Sequence, residues 1–163
     1  MNHLLSILLI GTGATMVMDL WSLVRKPLLG IPPPNYGMVG RWITYMAYGQ
    51  FQHDAIAASA PMRGERVTGW MFHYLTGIAY AALLIAIWGN SWIHTPTLGP
   101  ALAVGIITVA APFLLMQPGM GAGIAASRTP KPNSARLQSL ITHAVFGLGL
   151  YVSGWAIQFF SQL

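Results

Sequence analysis

The chain has no cysteine. Disulfides, Cys-ligated zinc, iron–sulfur clusters and thiol nucleophiles are therefore excluded. Acid is almost as scarce: three Asp and Glu stand against eight Lys and Arg in 163 residues. Charged residues make up 7% of the chain, where a soluble domain carries roughly 25%. So few charges cannot cover the surface of a soluble protein of this length, so water is not its main solvent. The net charge of +5 and the sequence pI near 10.0 would suit nucleic acid. Here the basic residues are few and lie between apolar runs, so no nucleic-acid partner is expected.

What the chain has is apolar length, with hydrophobic residues at 55%. No Asp, Glu, Lys or Arg occurs between Arg66 and Arg128, or after Arg136. Crossing a bilayer takes about 20 apolar residues. Four spans are predicted at about 4–23, 67–88, 98–117 and 137–160. The fold class is all-α: a polytopic four-transmembrane-helix bundle, expected to form one transmembrane domain over 1–163. The first apolar run does not read as a signal peptide, because no positive charge precedes it and Arg25-Lys26 follow it.

The loops set the topology. Connection 24–66 holds Arg25, Lys26, Arg41, Arg63 and Arg66, and loop 120–136 holds Arg128, Lys131 and Arg136. Both are expected on the cytoplasmic side, with both termini periplasmic. Within 24–66, Pro32-Pro33-Pro34 forces extended chain. From Tyr36 to Tyr48, Val39, Trp42, Ile43 and Met46 share a helical face. The aromatic side chains here (Tyr36, Trp42, Tyr45, Tyr48, Phe51) suit the headgroup level, so an amphipathic interfacial helix is predicted between spans 1 and 2. A short helix follows His53, with Asp54 as its N-cap and Pro61 as its stop. His53 and Asp54 read as a loop histidine and a cap rather than a metal pair. His3 and His94 look incidental.

Asp19 closes the run Gly11-Thr-Gly-Ala-Thr-Met-Val-Met-Asp19. A carboxylate inside an apolar span is costly without partners. It lies six residues before Arg25, about 9 Å along a helix. His73 and His143 each follow an arginine by seven residues, about 10 Å in. Gln117 lies near the cytoplasmic end of span 3. These four are the candidate proton- or ligand-binding residues. Asp19, His73 and His143 are the metal set if there is one. Thr12, Thr15 and Asp19 share a face, and Gly11-x-x-x-Thr15 permits close packing. Pro112 and Pro118 are predicted helix breaks that free carbonyls at membrane depth. His73-x-x-x-Gly77 and His143-x-x-x-Gly147 hint at an internal repeat pairing spans 1–2 with 3–4, with Asp19 opposite Gln117. Met16, Met18, Met116 and Met120 are soft enough for copper(I) but read equally as core filler.

Four segments carry a resemblance. They are Gly11–Trp21, Gly40-Arg-Trp42, His53-Asp-Ala-Ile56 and the glycine-rich Met116-Gln-Pro-Gly-Met-Gly-Ala-Gly-Ile-Ala-Ala-Ser-Arg-Thr-Pro130. Together they resemble a family of small bacterial inner-membrane proteins catalogued only as a domain of unknown function. The resemblance implies a four-span bacterial membrane protein and transfers no activity and no site residues.

The first functional expectation is binding or translocation of a proton, a metal ion or a small polar ligand at an Asp/His/Gln site. A second is an accessory subunit whose polar residues only specify packing, in a homo-oligomer or a membrane complex. A third is a redox subunit with His73 and His143 as axial ligands of a b-type haem. An enzyme with a two-His-one-carboxylate metal is the weakest, since no nucleophile or substrate is visible. The bilayer is the one partner the composition requires. No cofactor is assigned.

Overall fold

The computed structural model describes residues 2–161. Met1 and the last two residues of the polar tail, Gln162 and Leu163, lie outside the described residues. The described residues are helical and contain no strand. Four helical stretches are long and apolar enough to cross a membrane: His3–Leu29, Glu65–Trp88, Leu98–Gly119 and Pro132–Phe160. Only 28 to 33% of the most apolar window of each is buried within the protein. Leu20, Leu23, Ile87, Ile107 and Val152 are all exposed. That much bare aliphatic surface is stable only in an apolar phase, and the protein is a multi-pass membrane protein.

Helix α1 (His3–Leu29) starts under the Asn2 side chain, which accepts from the Leu4 amide. It runs past the predicted end at Leu23. It stops at Gly30, whose φ of 67° lets its N–H close on the Lys26 carbonyl. Helix α2 (Tyr36–Met46) follows the proline run and is capped by Asn35. A 3-10 turn at Ile56–Ala58 replaces the short helix expected after His53. Ala55 stands at its cap position with no side-chain bond, and Asp54 is exposed, so Asp54 is no N-cap. Helix α3 (Glu65–Trp88) begins two residues before the expected Val67, because Glu65 reaches back to accept from the Met62 amide at 2.9 Å. Helix α4 (Ser91–His94) fills the uncharged turn. Helix α7 (Pro132–Ser161) starts ahead of the expected Leu137, since proline is at home in a first helical turn.

The third span differs most from expectation. Helix α5 (Leu98–Ile107) gives way to a π turn, Pro112–Met116, and then to α6 (Gln117–Gly119). Pro112 and Pro118 do not break the chain into a loop. Ala111, Met116 and Gln117 keep right-handed helical dihedrals. The Gln117 amide bonds the Pro112 carbonyl, five residues back. The wider turn accommodates proline rings and missing donors that regular α geometry would reject.

The chain divides into two compact units. The first comprises residues 1–33, 74–108 and 141–163. Its core is Ile10, Ala14, Leu84, Trp92, Val104 and Leu150 with their neighbours. Small residues set its helix crossings. A Cβ on Gly11 would meet the Ile78 Cα at 2.5 Å, and one on Gly77 would strike the Thr15 hydroxyl. A Cβ on Gly105 would lie 2.7 Å from the Gly147 Cα. Thus α1 meets α3 at Gly11/Gly77, and α5 meets α7 at Gly105/Gly147. The two glycines of the suspected repeat therefore hold equivalent crossings. In lipid such close approach drives association, because burying more apolar surface gains little.

The second unit comprises residues 34–73 and 109–140. There α2 approaches the start of α3 so closely that a Cβ on Gly40 or Gly69 would run into backbone. Val39 and Trp42 of the α2 apolar face are consequently buried inside the protein, while Tyr48 and Phe51 stay exposed.

These crossings generate one expectation. Gly77→Leu should lower the thermal stability of the detergent-solubilised protein by about 1–3 kcal/mol or prevent folding, as overpacking does. Gly99→Leu, which meets nothing within 4 Å, should leave the melting curve in place. Equal behaviour of the two variants would contradict the crossing.

Candidate functional site

The polar side chains predicted for the site fall in both units. In the first unit, the Tyr74 hydroxyl donates to Asp19 Oδ2 at 3.0 Å. His143 Nδ1 lies 3.0 Å from the Gly105 carbonyl and 3.2 Å from Thr108 Oγ1. A carbonyl can only accept, so neutral His143 carries its hydrogen on Nδ1 and keeps a lone pair on Nε2. The same Gly105 carbonyl accepts from the Thr108 hydroxyl at 2.8 Å. Arg25, expected to be a loop anchor, is instead buried in the last turns of α1. It donates to Thr142 Oγ1 at 3.2 Å and to the Pro32 carbonyl at 3.3 Å.

In the second unit, His73 is stacked on Tyr36 with centroids 4.1 Å apart, and Trp70 meets it edge-on at 5.7 Å. Gln117 Nε2 reaches Ser139 Oγ at 3.5 Å, the long limit of a hydrogen bond, and its Oε1 is buried with no partner. Among the described residues, no three His, Asp or Glu side chains form a group that could hold a metal ion.

The second unit also contains a feature that the polar side chains of the spans did not signal. A cavity of about 700 Å³ opens between residues 50–59 and the glycine-rich segment 118–128. That is an ordinary size for a small-molecule site. Two backbone bonds join its walls: His53 N–H to the Gly119 carbonyl at 2.9 Å and Ile56 N–H to the Met120 carbonyl at 3.1 Å. A Cβ on Gly121, whose φ is 93°, would collide with the Asp54 carbonyl, so only glycine allows this approach. Trp42 anchors both segments, donating its indole N–H to the Phe51 carbonyl at 2.9 Å, with Gly119 packed on the ring. Ala125 and Ala126 hold positive φ of 47° and 59°, a strained state for residues bearing a Cβ. Arg136 secures the strained pair, its Nε donating to the Ala125 carbonyl at 2.8 Å.

Arg41 and Glu65 fix the 50–62 wall. Arg41 Nε and Nη2 fork onto the two Glu65 oxygens at 2.8 and 2.9 Å. Arg41 Nη1 also donates to the Ser59 carbonyl at 2.8 Å and the Ile56 carbonyl at 3.3 Å. The Glu65 carboxylate raises the Arg41 pKa above its ordinary value, so the guanidinium stays charged at any physiological pH.

Inside the cavity, His53 is the buried polar side chain, at 7% exposure. Ser59 Oγ lies 2.9 Å and Gln50 Nε2 3.3 Å from its Nδ1. An amide NH2 only donates, so Nδ1 accepts and Nε2 carries the hydrogen. That Nε2 is buried and has no partner among the described residues. A buried donor left unmade is costly, and this one has no surface open to the cavity. Gln52, Asp54, Ser127 and Arg128 complete the polar lining.

Residues 8–157 match the profile of a family described as "Protein of unknown function (DUF2938)". The chain belongs to this family. No curated protein and no solved structure matches it. Membership therefore accounts for the long His53–Ile56 and Met116–Pro130 resemblances without assigning them a role. The two segments line one cavity. The clue available from the sequence was polar residues in both segments, with closely spaced glycines in the second, in a chain with only 7% charged residues.

Removing the fork should loosen the cavity wall. Arg41→Ala is expected to speed limited proteolysis within residues 50–62 by about tenfold or more. That corresponds to losing one charge-assisted bond at the low end, about 1.5 kcal/mol, since both side chains are partly exposed. Unchanged cleavage would show that the wall does not depend on the fork.

Proposed function

We propose that this protein is a multi-pass protein of a bacterial inner membrane that binds a small polar ligand in the cavity of its second unit. Loops 24–66 and 120–136 face the cytoplasm in this reading, and both termini face the periplasm. The clustering of all eight Lys and Arg in those two segments supports that orientation. One observation carries the binding role: a cavity of ligand size is walled by two irregular segments and lined by Gln50, Gln52, Asp54, Ser127 and Arg128.

Asp19, His73, Gln117 and His143 are the side chains we assign to any proton or ligand movement coupled to that binding. Ionisable groups within spans are functional candidates by default, and the Nε2 lone pair of His143 suits a proton acceptor. The Tyr74–Asp19 bond favours a second reading, in which these residues only lock the bundle of an accessory subunit.

Thermal unfolding separates the two readings. Purified full-length protein should gain about 5–10 °C with at least one member of a panel of small polar metabolites, given near hundredfold saturation. Ala58→Trp, which fills the cavity mouth from an exposed position, should abolish the shift without lowering the ligand-free melting temperature. A panel in which no compound stabilises the protein would favour the accessory subunit.

A further inference from the structure

We infer that the ligand of this cavity is a small zwitterion, carrying a primary ammonium and an oxyanion. The inference rests on the binding role proposed above and names the class of molecule bound.

The lining contains one formal charge of each sign, Arg128 and Asp54. Both residues line the cavity and are exposed. Among the described residues, neither side chain makes a hydrogen bond or an ion pair, and they do not pair with each other; Arg41 and Glu65 form an ion pair in this unit. Opposite charges that line one space without meeting leave complementary ends for a ligand. An oxyanion would take the Arg128 guanidinium, which offers fixed parallel donors to a carboxylate or phosphate. The Asp54 carboxylate is an acceptor alone and suits an ammonium. Gln50 and Gln52 can serve either end.

A simple anion fits less well. Asp54 would repel it, and nothing would compensate that carboxylate. A simple cation leaves Arg128 unsatisfied. A zwitterion of this kind has two sources, a free metabolite or the headgroup of an aminophospholipid, and the same donors and acceptor would hold either.

The test uses the full chain in detergent and four probes: O-phosphoethanolamine, β-alanine, inorganic phosphate and ethanolamine. Binding is read by calorimetry. At least one of the two zwitterions should bind, and phosphate and ethanolamine should each bind at least about tenfold more weakly. Asp54→Asn and Arg128→Gln should each weaken the zwitterion by at least about tenfold. Both residues are exposed and unpaired, so both variants should fold as the wild type does. Asp54→Asn should leave phosphate binding unchanged or improve it. Nanodiscs separate the sources: phosphatidylethanolamine discs should compete with the free probe if the headgroup is the ligand, and phosphatidylglycerol discs should not. Phosphate or ethanolamine binding as tightly as the zwitterions overturns the inference. So does zwitterion binding that ignores both substitutions. If no zwitterion binds while another compound of the metabolite panel does, the zwitterion is wrong and the binding role stands. If nothing binds at all, both fail.

Discussion

The fork between Arg41 and Glu65 holds the second unit in shape. It joins α2 to the start of α3 and, through Arg41 Nη1, secures the carbonyls at Ile56 and Ser59. Residues 47–64 contain no helix beyond one 3-10 turn, so their backbone groups need partners from elsewhere. The fork supplies some of them. Gly119 and Met120 supply others by accepting from His53 and Ile56. The cavity exists because two irregular segments are held apart by fixed points rather than collapsed on one another. An arginine is suited to this work, since one planar group can serve a carboxylate and two carbonyls at once.

The first unit follows a different logic. Its helices meet where side chains are absent, at Gly11, Gly77, Gly105 and Gly147, and its outer faces are aliphatic. Several polar groups inside it are satisfied by nearby backbone carbonyls. Thr15 bonds back to the Gly11 carbonyl at 2.8 Å, and Thr108 and His143 share the carbonyl of Gly105. Such bonds let a hydroxyl or an imidazole sit in an apolar layer without water. The paired crossings give the suspected repeat a physical basis. They place Gly11 opposite Gly105, which shifts the register from the one that set Asp19 opposite Gln117.

The spans were legible in the sequence because hydropathy and charge spacing depend on the solvent, and the solvent here is lipid. The charge-free runs marked the spans, and Gly11-x-x-x-Thr15 marked a real crossing. Helix ends were less legible. Glu65 capping Met62 and the π turn after Pro112 are local solutions that a proline or an acid does not announce by itself. The cavity was legible only as a resemblance. His53 lies in a loop, but nothing in sequence reveals that it is buried there, or that Gly121 allows the Asp54 carbonyl to approach. Arg128 was counted as a topology signal, although it also lines the cavity. The polar span residues were found by depth, but depth fixes a level and not a facing direction.

The central claim is that the cavity is open to water on the side of the membrane that holds the basic segments. The chain has no cysteine, so Ala58→Cys places one unique thiol on the cavity lining. Its reaction with a membrane-impermeant maleimide can be compared in inverted and right-side-out vesicles. The account requires labelling in inverted vesicles and none in right-side-out ones. Labelling from the periplasmic side alone, or from neither side, would contradict it.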